Sequence, residues 1–186
     1  SRKGTEGEGE SKFESVDPAP ALALGGSGLQ PKSVSELGDD MVNPKLSLYD
    51  RYRAMFSLRN VAGDEAASGK TRDEAVLQLV RGFDDTSSAL FRHEVAYVLG
   101  QIASPVSVPA LERVVRNTAE HEMVRHEAAE ALGAVGDDYS LRVLEQFEKD
   151  DAAIVKESCQ VALDAAEYWS NFAGNPRSGS ESSSAE

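Results

Sequence analysis

Two short stretches of this chain bring metal-ligand chemistry together at a fixed spacing. Arg92-His93-Glu94 returns as Arg125-His126-Glu127, 33 residues later, inside matching text: FRHEVAYVLGQIA (91–103) aligns with VRHEAAEALGAVG (124–136). One adjacent His-Glu pair is common. A pair repeated at a repeat period places imidazole and carboxylate at equivalent spots on stacked units, and that donor mixture suits iron, manganese or zinc. The zinc-protease pattern H-E-x-x-H fails, because Tyr97 and Glu130 stand where the second histidine belongs. His121 precedes His126 by five residues, about 140° around a helix, and His121-Glu122 reads as a solvated helix end. The competing reading of His93 and His126 is a satisfied hydrogen bond between repeats. Metal ligation is favoured because both pairs share it. Arg92 and Arg125 are expected to pair with nearby acidic residues or to anchor the repeat stack.

Helices must position these pairs. Apolar residues at helical spacing mark 46–62, ending before Gly63, and 71–83, where Thr71 and Glu74 form an expected capping box. Ser87 or Ser88 caps the next helix, which Pro105 stops. Val108–Asn117, Met123–Val135 (closed by Gly136), 140–150 and 152–169 follow. Nothing comparable alternates with period two. Two helices every roughly 31–41 residues with a recurring Ala-Leu-Gly signature predict an all-α, HEAT-like α-solenoid of about four helical-hairpin repeats. Weaker outer copies, RYRAMFSLRN (51–60) and VKESCQVAL (155–163), carry Tyr52-Arg53 and Glu157-Ser158 in place of His-Glu and read as structural. Each His-Glu pair falls early in its helix, where the positive end of the helix dipole favours the carboxylate.

Composition sets the boundaries. Of 186 residues 40% are hydrophobic, enough for one core. Residues 1–42 and 171–186 are Gly-, Ser-, Pro- and Glu-rich and read as disordered tails, leaving 43–170 as the folded domain. The GGSG stretch (25–28) reads as linker, with no strand before it to make a phosphate loop. The net charge of −13 and the absence of a basic stripe argue against nucleic acid. No apolar run approaches the roughly 20 residues of a membrane span. Cys159, the single cysteine, excludes an intrachain disulfide and points to a reducing, cytoplasmic setting; it reads as a buried structural thiol.

Two helices with one His-Glu pair each hold too few ligands for two six-coordinate metals. Carboxylate-bridged iron pairs on four helices draw ligands from all four, so a complete site needs a second copy of this chain or a further half.

FRHEVAYVLGQ, MVRHEAAEALGA, RYRAMFSLRN, SALFRHE and VKESCQVALD together resemble the C-terminal half of the deoxyhypusine hydroxylase family, and SVDPAP (15–20) resembles the segment joining its halves. The similarity covers 15–20 and 46–167. It implies a HEAT-repeat iron monooxygenase of two four-repeat halves, whose four His-Glu pairs surround two irons that activate O₂. By position, His93, His126 and Glu127 match iron ligands. Glu94 completes the first pair, as a further candidate metal ligand, and matches the acidic residue that the family uses mainly to hold the cationic substrate side chain, which makes it the candidate catalytic residue. The implied reaction hydroxylates deoxyhypusine in eukaryotic translation initiation factor 5A to hypusine, with the N-terminal half absent here. The alternative from another class is a non-enzymatic HEAT-repeat scaffold that binds a protein partner; a bilin-lyase-like HEAT protein is more remote.

Overall fold

The computed structural model describes residues 17–22 and 32–174, the last six without side chains. The GGSG linker, the tail beyond Gly174 and Trp169's side chain lie outside the described residues. Eight α-helices are present among those described: α1 (Val34–Val42), α2 (Leu48–Gly63), α3 (Gly69–Val80), α4 (Ala89–Ile102), α5 (Val108–Arg116), α6 (Glu122–Val135), α7 (Asp138–Glu145) and α8 (Ala153–Gly174). They form four hairpins in two layers: the even-numbered helices pack side by side in order, with the odd-numbered ones behind them. This is the all-α, HEAT-like solenoid of four repeats that the periodicity predicts. None of these helices is long and apolar enough to cross a membrane.

Two boundaries differ from those read in the sequence. Residues 34–42 belong to α1 rather than to a tail: Ser33 and Glu36 close a capping box, and Leu37 and Met41 are fully buried. Their i, i+4 spacing puts both on one face, but so few apolar residues among Gly, Ser and Asp leave the composition tail-like. At the other end α8 runs to Gly174, past 171. The Thr71 capping box is also replaced. Ser68 is the cap, its hydroxyl accepting from the Thr71 amide, and the helix already begins at Gly69.

Close packing of the even layer rests on the glycine of Ala-Leu-Gly. A Cβ on Gly100 would sit 3.2 Å from the Ala131 Cα, and one on Gly133 would sit 2.7 Å from the Ala162 Cβ. Helices α4, α6 and α8 therefore approach backbone to backbone. Behind them Phe56, Phe91, Leu99, Leu111, Leu132 and Leu144 fill the core. The aligned caps Ala103 (φ 51°) and Gly136 (φ 63°) end α4 and α6 in the left-handed region.

A ladder of arginines sets the spacing between repeats. Arg51 donates to the Met41 carbonyl and pairs with Asp85. Arg92 grips Glu120 with two hydrogen bonds of 2.8 and 2.6 Å and also donates to the Asp85 carbonyl. Arg125 donates to the Val115 carbonyl and holds both Asp150 oxygens, at 3.0 and 2.5 Å. Each guanidinium starts near the head of one even helix and ends on a carboxylate just before the next. The sequence reading of Arg92 and Arg125 as anchors holds, and Arg51 is a third. Such bidentate pairs fix geometry as well as energy.

A valine at Gly133 cannot fit against Ala162 without parting α6 and α8. Gly133→Val is expected to cost about 1–3 kcal/mol in urea unfolding, and an unchanged midpoint contradicts this packing. The ladder predicts an acid effect. Arg125's hydrogen bonds, opposed by burial, hold the Asp150 carboxyl below its ordinary value. The stabilisation is full above the unfolded value, about 3.9, and is lost as pH falls through the lower folded value. Asp150→Asn is therefore expected to flatten the loss of stability between roughly pH 5 and pH 1 and, by stranding Arg125, to cost about 3–5 kcal/mol at neutral pH. Parallel stability–pH curves for variant and wild type contradict it.

Candidate metal centre

With α4 and α6 in backbone contact, the two histidines meet. The His93 and His126 ring centroids lie 5.9 Å apart. Glu127 stands between them: its Oε2 is 3.1 Å from His93 Nε2 and 3.6 Å from His126 Nε2. One ligand atom from each of His93, His126 and Glu127 falls within 4.8 Å of the others. Donors around one ion at about 2.1 Å stand roughly 3–4 Å apart, so a small closure of side chains brings all three onto one metal. Two histidines and one carboxylate with open positions remaining is the donor set of non-haem iron(II) oxygenases. The residues fit such an ion.

The electrostatics agree. The hydrogen bond to Glu127 raises the basicity of His93, burial opposes it, and Glu94 and Glu130 add to the rise. Its Nδ1 is buried with no hydrogen-bond partner, so among the described residues Glu127 is the group that orients the ring. Glu127 itself is only 8% exposed. A buried carboxylate between two imidazoles is poised to balance a cation.

Glu94 lies outside this cluster, and the repeat register explains why. The residue after each His-type position addresses the preceding repeat. Glu127 reaches back to His93, and Ser158, aligned with Glu127, reaches back to His126 at 3.2 Å. By the same rule Glu94 is directed toward Tyr52, the first repeat's counterpart of histidine. Tyr52 is buried, stacked on Phe91 at 5.9 Å, and its phenol is pushed up by burial and then by the charge of Glu94. Glu94 is half-buried and has no hydrogen bond or ion pair among the described residues. Burial pushes its carboxyl up; Glu127 and Asp17 add to that, while His93 and Arg59 oppose it. Glu94 is thus an open carboxylate in a locally acidic setting, outside the three-donor cluster.

Other residues fall as follows. His121 is an exposed N-cap accepting from the Met123 amide, the solvated helix end expected. Cys159 is fully buried and its thiol is pushed up to about 11, so it is a structural thiol. Ser158 escaped the sequence reading, which took the last repeat as purely structural, and Glu130 entered it only as the residue standing where a second histidine belongs; the signal for Ser158 was its alignment with Glu127. Residues 17–22 also lie along α2: Asp17 pairs with Arg59 through two 2.7 Å hydrogen bonds, the Leu22 amide donates to Ser57 Oγ, and Ala19 is fully buried.

Fold and site together define a HEAT-repeat protein that gathers a 2-His-1-carboxylate cluster from two adjacent repeats. A family model described as HEAT repeats matches residues 74–164. The chain is 51% identical over 159 residues to a deoxyhypusine hydroxylase of Chaetomium globosum, covering 85% of this chain and 44% of that protein. It is 47% identical over 163 residues to that of Danio rerio, covering 88% and 48%. A solved structure of human deoxyhypusine hydroxylase in complex with glycerol superposes with a TM-score of 0.70 at 41% identity, covering 87% of this chain and 50% of that one. Over some 85% of its length the chain is similar to the deoxyhypusine hydroxylases, and it spans about half the length of the curated relatives it matches.

Proposed function

We propose that this chain supplies one half of the iron centre of a deoxyhypusine hydroxylase, an O₂-using monooxygenase that converts deoxyhypusine in eukaryotic translation initiation factor 5A to hypusine in the cytoplasm. The observation that carries this reading is the His93–His126–Glu127 cluster with Glu94 open beside it. The two imidazoles and the Glu127 carboxylate hold one iron, and a second four-repeat half, or a second copy of this chain, supplies the ligands of the other. Iron bound there supplies the activation of O₂ for insertion into a C–H bond. The chain's own residues do the positioning. Glu94 receives the protonated amine of the substrate arm, and charge-assisted hydrogen bonding fixes that arm so that one carbon is presented to the metals. Burial around Glu94 strengthens the attraction by lowering the local dielectric. The acidic surface, −13 overall, favours approach of a basic partner.

Anaerobic iron(II) titration of the purified chain and of His93→Ala, His126→Ala, Glu127→Ala and Glu94→Gln tests the assignment. The three cluster variants are expected to weaken iron binding by at least the roughly 10–100-fold seen for loss of an outer-shell partner. Glu94→Gln is expected to keep the iron and to bind a deoxyhypusine peptide roughly tenfold or more weakly, the worth of a charged hydrogen bond. Equal iron binding in the cluster variants overturns the ligand set. Hydroxylation by the chain as an isolated monomer overturns the half-site reading.

A further inference from the structure

The last repeat, which carries no His-Glu pair, makes a contact with the site that the ligand set does not require. His126 Nδ1 is 3.2 Å from Ser158 Oγ on α8 and 3.3 Å from Glu130 Oε1, one turn further along α6. Ser158 Oγ in turn lies 3.4 Å from the same Glu130 oxygen. An ionised carboxylate oxygen only accepts, so the arrangement is satisfied when the imidazole nitrogen beside it carries the proton. The serine hydroxyl then accepts from His126 Nδ1 and donates to Glu130, which leaves all three groups satisfied. With the proton on Nδ1, the lone pair is on Nε2, the nitrogen that faces Glu127.

We propose that Ser158 and Glu130 are positioning residues that fix the tautomer and the angle of the His126 ring, so that Nε2 is the donor presented to the cluster. This deepens the metal reading and rests on it for the role of Nε2. The tautomer itself belongs to the metal-free chain. The two contacts divide the task. Glu130 is an i+4 neighbour that any register of α6 would keep near, whereas Ser158 reaches His126 only if α8 is docked at the Gly133–Ala162 contact. His93 is held otherwise: the residue aligned with Ser158 is Glu127, which meets its Nε2, and its Nδ1 is buried with no hydrogen-bond partner among the described residues. The two histidines are therefore held differently, His126 from behind and His93 from in front.

The test uses the full chain, chelator-treated and labelled with ¹⁵N-histidine, under conditions that keep the imidazoles neutral. Long-range ¹H–¹⁵N spectra report which nitrogen carries the proton. Wild-type His126 is expected as the Nδ1–H form. Ser158→Ala combined with Glu130→Ala is expected to move it toward the Nε2–H form while the His93 signals stay in place, with circular dichroism confirming the helical fold. The single variants, each keeping one acceptor, are expected to shift less. In the same double variant zinc binding is expected to weaken roughly 10–100-fold. An Nε2–H His126 in the wild type, or an unchanged tautomer in the double variant, overturns the proposal. A tautomer shift in a chain that binds no zinc or iron upholds the positioning role and counts against the metal reading alone.

Discussion

The arginine ladder is the constraint on which the site depends. Arg51, Arg92 and Arg125 each begin near the head of one even helix and close on Asp85, Glu120 or Asp150 just ahead of the next. These pairs are largely buried, so their net worth against an apolar replacement is modest, but losing one partner strands the other. Their function in the fold is geometric. Each fixes how far one repeat advances over the last, and the residue directly after each arginine, Tyr52, His93 or His126, inherits that spacing. Glycine does the complementary work near the far ends of α4 and α6, where Gly100 and Gly133 let the helices touch.

Register then decides which carboxylate meets which histidine. Because each repeat reaches back by one, Glu127 serves the histidine of the preceding repeat as well as its own neighbour His126, while Glu94 does not join its neighbour His93 in the cluster. His93 is served by Glu127 from the next repeat, and His126 by Ser158 from the one after. Glu94 is left toward Tyr52, with no hydrogen-bond or ion-pair partner among the described residues. A one-step offset thus makes one cluster of three donors and one open carboxylate out of two identical motifs. That division, one carboxylate among the histidines and one apart from them, is the geometry on which the proposed roles of Glu127 and Glu94 rest.

Much of this was legible in the sequence, for identifiable reasons. The 33-residue recurrence of Arg-His-Glu and the helical apolar spacing gave the repeats, the fold class and the residues of the cluster. Local composition misled at α1, where Leu37 and Met41 were too few to mark a core helix among polar neighbours, and at Thr71, where Ser68 proved the better-placed cap. Contacts between repeats were the hardest to read. Ser158 touches His126 and Glu130 only because α8 docks on α6, and the pairing of Asp17 with Arg59 spans 42 residues. Periodicity reports which face a residue lies on and is silent about its partner on the next helix.

The central claim is that His93, His126 and Glu127 hold one ion while Glu94 does not. A crystal structure of the chain after anaerobic iron(II) loading, with the ion located by its anomalous scattering, tests it most directly. The expected result is a single iron bound by the two imidazoles and Glu127, with the Glu94 carboxylate free to face outward. An ion held by Glu94 in place of Glu127, or bound at a different set of residues, contradicts it.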